Sequence, residues 1–230
     1  MYINYYLLGI IVLPGIILAA YAQTVVNSTF HKYGSVTANI GKTASEIARI
    51  FLDNAGLNDV QVIRVNGHLT DYYNHRKKVL ALSESVYDNN SVAAIGVACH
   101  EVGHALQFKS NYIPIKLRNL VIPLCNIANN VLWIFVILGA IFYYSNLLWI
   151  GVIAFGLSVL LNLITLPVEF NASKRAIQML GNTSLFDTYE LEATKKVLNS
   201  AALTYVAGFI ITVLNLLRFV LAIFMSRRRD

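Results

Sequence analysis

The sequence predicts a mainly α-helical integral membrane protein, with about four transmembrane helices and a small α+β region in water. Three observations predict it. Hydrophobic residues make up 57% of the 230-residue chain and charged residues 13%, against roughly 45–50% and 25% in soluble domains. The apolar excess is gathered into blocks, with no Asp, Glu, Lys or Arg in residues 1–30, 50 consecutive uncharged positions at 119–168 and 21 more at 197–217. The remaining segments, 23–118 and 167–203, carry 10 and 4 Lys/Arg and mix helical with strand-like patterns. The low charge excludes a disordered chain, and two cysteines exclude a disulfide scaffold.

A bilayer-spanning helix needs about 20 apolar residues. The first block fits one span, Tyr5–Ala22. Ala20-Tyr21-Ala22 resembles a signal-peptidase site, but no basic residue precedes the apolar run, so a retained anchor is the expectation. The 50-residue block fits two spans, Val121–Phe142 and Leu147–Leu166, turning at Tyr143-Tyr144-Ser145-Asn146. The last block fits one span, Tyr205–Met225, with Arg218 snorkelling or facing protein. Unpaired backbone groups are costly in lipid, so all four should be helices. Residues 1–230 then read as one membrane domain. A transporter is disfavoured, because the spans contain almost no ionisable groups and no inverted repeat.

Within the polar segments, Val36–Leu57 carries Ala44, Ile47, Ala48, Phe51 and Ala55 at three- and four-residue spacing, which predicts an amphipathic helix ending at Gly56. Val60–Val65 and Lys78–Ser83 read as strands of a small sheet. His68–His75 between them reads as a polar, aromatic loop that is solvated or closes a site. Asp88-Asn89-Asn90-Ser91 is a helix-start cluster, so Ser91–Lys109 should be helical.

That helix carries His100-Glu101-Val102-Gly103-His104, an HExxH sequence. Positions i and i+4 share a helix face, so both imidazoles can hold one metal ion. Zinc with three protein ligands keeps a fourth position for water and polarises a carbonyl. Glu101, one position round, can take the proton of that water and pass it to a leaving amine. With five His and six Glu in the chain, random placement would give the pattern in roughly 0.3% of such chains.

A third ligand is needed. The extended type with a further His is excluded, since its position is Ser110. The downstream carboxylates that precede the C-terminal tail are Glu169, Asp187, Glu190 and Glu192. Glu169 is favoured, because a carboxylate at a helix–membrane boundary is costly unless paired or ligated. Its alternative is an ion pair with Lys174 or Arg175. A hairpin of two spans separates His104 from Glu169 and returns the chain to its starting side, so the two can meet.

Three segments carry a resemblance: ALSESVYDNNSVAAIGVACHEVGHALQ, LPVEFNASKRA and KKVLNSAALTYVAG. They closely resemble the YugP-like neutral zinc metallopeptidases of bacterial membranes, over nearly the whole chain. That family looks like a relative of the membrane gluzincins of the HtpX type. The resemblance implies a zincin-like catalytic region and an endopeptidase with one Zn2+, His100 and His104 as ligands, Glu101 as general base and Glu169 as third ligand. Where wider gluzincins often carry an Asp that orients a zinc-binding His, this chain has Ser173, whose hydroxyl can hold an imidazole but adds no charge. The family's GHLTD stands here as Gly67–Asp71, followed by a less usual Tyr72-Tyr73-Asn74.

Tyr205, His68 and Arg175 are each suitable oxyanion donors, Tyr205 foremost. Cys99 and Cys125 read as buried small residues. The expected function is therefore a zinc-dependent membrane endopeptidase in which a zinc-activated water attacks a peptide held along the edge of strand Lys78–Ser83. The alternative is a membrane scaffold or binding protein that retains a structural zinc. Expected partners are a peptide or membrane-protein substrate and the lipid bilayer. Nucleic acid is not expected, since the +6 net charge is dispersed without a binding motif. The catalytic side carries Lys32, Lys116, Arg118, Lys174, Arg175, Lys195 and Lys196 near span ends, against Arg227, Arg228 and Arg229 opposite, which favours a cytoplasmic site in a multi-pass cell-membrane protein.

Overall fold

The computed structural model describes residues 8–141, 145–183 and 186–227. In chain order the elements are α1 (Leu13–Gly34), α2 (Ala44–Asn54), β1 (Gln61–Val65), β2 (Tyr72–Asn74), β3 (Val79–Ser83), α3 (Val92–Lys109), α4 (Ile113–Ile141), α5 (Ser145–Asn182) and α6 (Thr188–Arg227). The fold is mainly helical with one small mixed sheet. Among the described residues, three helical segments are long and apolar enough to cross a membrane: Leu8–Gly34, Trp149–Asn182 and Thr188–Met225. The expected span Val121–Phe142 falls on α4, but Phe142 and the turn residues Tyr143 and Tyr144 lie outside the described residues, as do Tyr5, Tyr6 and Leu7 of the first span.

The helices run further than the apolar blocks that announce them. α1 continues past Ala22, because Phe30 and Tyr33 fall on one face and are buried. α5 continues past Leu166 through Pro167 to Asn182, so Glu169 lies inside a long helix rather than at the start of a new one. The chain divides into two compact units. One takes the described parts of Met1–Gln23, Pro114–Pro167 and Thr204–Asp230, and the other takes Thr24–Ile113 and Val168–Leu203.

In the first, apolar unit, helices approach closely and share polar bonds. A Cβ added at Gly15 would stand 2.9 Å from Ile211 Cγ1 and 3.3 Å from Ile211 Cα, so the α1 backbone lies close against α6. Asn162 donates to the Thr212 hydroxyl at 3.1 Å, joining α5 to α6. Cys125 lies 3.4 Å from the Leu157 carbonyl, and both Cys99 and Cys125 are free and buried, as their small apolar character suggests.

The second, polar unit is built around α3. Its apolar residues are buried on nearly every side, including Val92, Ile95, Ala98, Val102 and Ala105. Ser91 caps its start by accepting from the Ala94 N–H at 3.2 Å. α2 lays the buried stripe Ala44, Ile47, Ala48, Phe51 and Leu52 against this core. α2 is shorter than the expected Val36–Leu57. Gly41 takes φ +65°, and Thr43 begins the helix through a capping box with Glu46. The preceding residues instead bond across to the chain before α3, Ala38 N–H to Asn90 O at 2.9 Å and Val92 N–H to Val36 O at 2.9 Å.

The sheet has the order β1-β3-β2. β3 pairs in parallel with β1 (Val62 opposite Leu80) and antiparallel with β2 (Tyr73 opposite Leu80). Two expectations are corrected here. The segment His68–His75 is not all loop, since Tyr72–Asn74 forms β2, and the Asn74 side chain closes the following turn by accepting from the Arg76 and Lys77 N–H groups, each at 3.1 Å. And β3 is the central strand, with both edges already paired, so it cannot offer an edge to a peptide. Among the described residues the free edges belong to β1 and β2.

Candidate metal centre

The HExxH residues lie on the second half of α3, and the 100° step of the helix sets both imidazoles on one face. Their rings meet edge to face with centroids 4.8 Å apart. Opposite stands α5. The Nε2 atoms of His100 and His104 lie 3.3 Å and 3.5 Å from the same Glu169 oxygen, Oε2. Tetrahedral zinc with bonds of about 2.0–2.1 Å sets neighbouring ligand atoms about 3.3–3.4 Å apart. The donor set and its spacing therefore fit zinc. A cluster of His100, Glu101 and His104 offers ligand atoms within 4.8 Å of one another.

Glu169 is buried, at 3% exposure, and it is the one among the four expected carboxylates that meets the histidines. Asp187 and Glu190 instead cap α6, exchanging bonds from side chain to backbone N–H at 2.8 Å each way. Glu190 also accepts from the Asn39 N–H at 2.7 Å. Glu192 pairs with Lys195 at 2.6 Å on the surface. Ser173, one turn after Glu169, places its hydroxyl 3.1 Å from His100 Nδ1.

Glu101 is buried beside the two histidines. Burial pushes its carboxyl above the usual carboxylate range; Glu169 and Asp71 add to this, against the pull of His104 and His100. Asp71, in the GHLTD segment, is held in place by β3: it accepts from the Ser83 N–H at 2.7 Å and from the Ser83 hydroxyl. Its own carboxyl is also pushed up by burial, with the Ser83 bonds opposing. His68 is exposed and meets Phe30 edge to face at 5.4 Å. Arg175 engages Asn171 at 2.8 Å and Ser110 at 3.0 Å. Tyr205 is exposed on α6, in the apolar unit.

Two contributors escape the sequence reading. Gln107, fully buried, lies 3.0 Å from His104 Nδ1 through its Oε1. The only signal for it is position, one turn beyond His104 on the same helix. Gly103 is the second. A Cβ there would stand 2.6 Å from the Ala172 carbonyl oxygen and 3.1 Å from the Ala172 Cα, so α3 and α5 touch main chain to main chain beside His104 and Glu169. Gly96, one helical stretch earlier, faces a Thr194 side-chain methyl at 2.8 Å instead. Backbone yields less readily than a side chain. Gly103→Ala is therefore expected to cost about 1–3 kcal/mol, seen as a fall in Tm of about 2–4 °C per kcal/mol. Gly96→Ala should cost less. Equal Tm losses for the two variants would refute this account of the helix contact.

A family model described as "Putative neutral zinc metallopeptidase" matches residues 8–224. The "Putative membrane protease YugP" of Bacillus subtilis (strain 168) is 44% identical over 213 residues, covering 93% of this chain and 94% of that protein. No solved structure matches the chain.

Proposed function

The chain belongs to the neutral zinc metallopeptidase family, and from that premise we propose that it is a zinc-dependent integral membrane endopeptidase of the gluzincin type with a zincin-like catalytic region. The observation that carries this reading is the convergence of His100 Nε2 and His104 Nε2 on one Glu169 oxygen, at 3.3 Å and 3.5 Å, beside the buried Glu101. A structural zinc site has no use for a buried carboxylate next to its ligands, whereas hydrolysis needs one.

In this mechanism His100, His104 and Glu169 would hold the ion. When bound, zinc supplies Lewis acidity that polarises the scissile carbonyl and acidifies water. Glu101 takes the proton of the attacking water on its carboxylate and delivers it to the departing amine nitrogen. Ser173 holds His100 from behind. A peptide substrate would lie in extended form along the free edge of β2, whose main-chain groups recognise backbone rather than sequence. Four spans, with α4 supplying the second, return α5 to the side on which α3 lies, and the basic residues near the span ends favour the cytoplasm.

The test is cleavage of a casein-type substrate by the purified protein in detergent. Hydrolysis should be lost after treatment with a zinc chelator and regained on adding about one equivalent of zinc. Zinc retention with no cleavage of either soluble or membrane-embedded substrates would favour a structural-zinc scaffold.

A further inference from the structure

The polar residues behind His104 form a closed set of bonds that no part of the proposed reaction uses. Gln107 is fully buried between α3 and α5. Its Nε2 donates to the Val168 carbonyl at 2.7 Å and to Asn171 Oδ1 at 3.1 Å, and its Oε1 faces His104 Nδ1 at 3.0 Å. Asn171 Oδ1 also accepts from Arg175 Nε at 2.8 Å. A second Arg175 nitrogen donates to the Ser110 hydroxyl at 3.0 Å, which in turn donates to the Gln107 carbonyl at 3.3 Å.

The chemistry of each member restricts the next. A guanidinium can only donate, so Asn171 must present its oxygen to Arg175. A backbone carbonyl can only accept, so the Gln107 atom facing Val168 must be the amide nitrogen. Both its N–H groups are then engaged, one by Val168 and one by Asn171, and the other end of the amide is necessarily the oxygen. An oxygen facing His104 Nδ1 requires that nitrogen to carry the proton. The lone pair is left on Nε2, the atom 3.5 Å from Glu169. His100 has no such constraint, because the Ser173 hydroxyl at its Nδ1 can donate or accept.

We propose that Gln107 and Arg175 are positioning residues that lock His104 in the tautomer able to bind metal through Nε2, with Arg175 acting through Asn171. The inference rests on the metal-centre reading above, and its test is read on metal binding rather than on hydrolysis. The full-length protein in detergent is titrated with zinc against a competing chelator, and the visible spectrum of the Co2+-loaded protein reports the ligand field. Gln107→Met fills the same volume but removes both bonding ends. It should weaken zinc by about 10–100-fold and alter the Co2+ bands, while thermal unfolding of the metal-free protein monitors packing separately.

Gln107→Glu tests the role of Arg175. It keeps an acceptor toward His104 but turns a carboxylate oxygen toward two acceptors, Val168 O and Asn171 Oδ1. It should weaken zinc in the parent chain. Adding Arg175→Ala frees Asn171 to turn its amide nitrogen toward the new carboxylate, and should recover part of the loss. Arg175→Ala alone should weaken zinc several-fold. Zinc affinity within threefold of the parent for Gln107→Met overturns the lock. Losses that simply multiply in the double variant overturn the part assigned to Arg175. A parent chain that holds no zinc overturns the metal-centre reading and this inference together, so the two failures are told apart.

Discussion

Replacing Glu101 with Gln is expected to remove peptide hydrolysis while leaving zinc bound. The amide has nearly the shape of the carboxylate, so the core around α3 is not disturbed. What is lost is the acceptor for a proton. Positioned general acid–base groups contribute about 10²–10⁴-fold to rate, and the loss should be at the upper end, because the proposed mechanism uses Glu101 twice, once for the attacking water and once for the leaving amine. The zinc content should stay at the parent value, since the proposed mechanism makes Glu101 the base and not a ligand. Full activity in the variant would end the proposed mechanism. The inactive protein would also serve as a trap, retaining substrates that can then be identified.

Replacing Glu169 with Ala should act on the metal itself. Both imidazole nitrogens aim at one oxygen of this side chain. Without it, two neutral ligands remain, and the negative charge that offsets the ion is gone. Partners in the outer shell of a metal are typically worth 10–100-fold in affinity, so loss of a direct ligand should exceed that range. The expected result is a purified variant nearly free of zinc, with hydrolysis lost in proportion. Zinc content equal to the parent would exclude Glu169 from the ligand set and return the search to Asp187, Glu190 or Glu192, each of which already has another partner in the structure.

How much of this was legible in the sequence depends on the range of the signal. The HExxH residues are local to one helix, so their spacing places them on a common face without knowledge of the rest. Glu169 is distant, but counting spans makes its meeting with His104 feasible, and the structure places the two side chains in contact. Gln107 had no comparable signal. Its partners are a main-chain carbonyl and an amide 61 and 64 residues away, and nothing in a single Gln on an apolar helix announces them. Gly103 had no signal either, since only the position of Ala172 shows why a side chain is excluded. Short-range errors have other causes. Three residues are too few for alternation to reveal β2. The stripe near Ala44 gives no sign of where its helix begins, because a left-handed φ at Gly41 and the Thr43 cap set the start. Apolar composition does not mark the ends of α1 and α5, because a change from apolar to polar alters what a helix faces without ending it.

The close contact of Gly103 with Ala172 has a consequence for how this site tolerates insertions. Each of the two helices contributes a pair of side chains one turn apart: His100 and His104 from α3, Glu169 and Ser173 from α5. The pairs interlock, with Glu169 meeting both histidines and Ser173 meeting His100. One residue inserted between Glu169 and Ser173 would turn one member away by about 100° and advance it by about 1.5 Å. A slip of a whole turn, about 5.4 Å, would bring Ser173 to the place of Glu169 and substitute a neutral hydroxyl for a carboxylate. Among relatives of different lengths, these two four-residue spacings are therefore where the count cannot change.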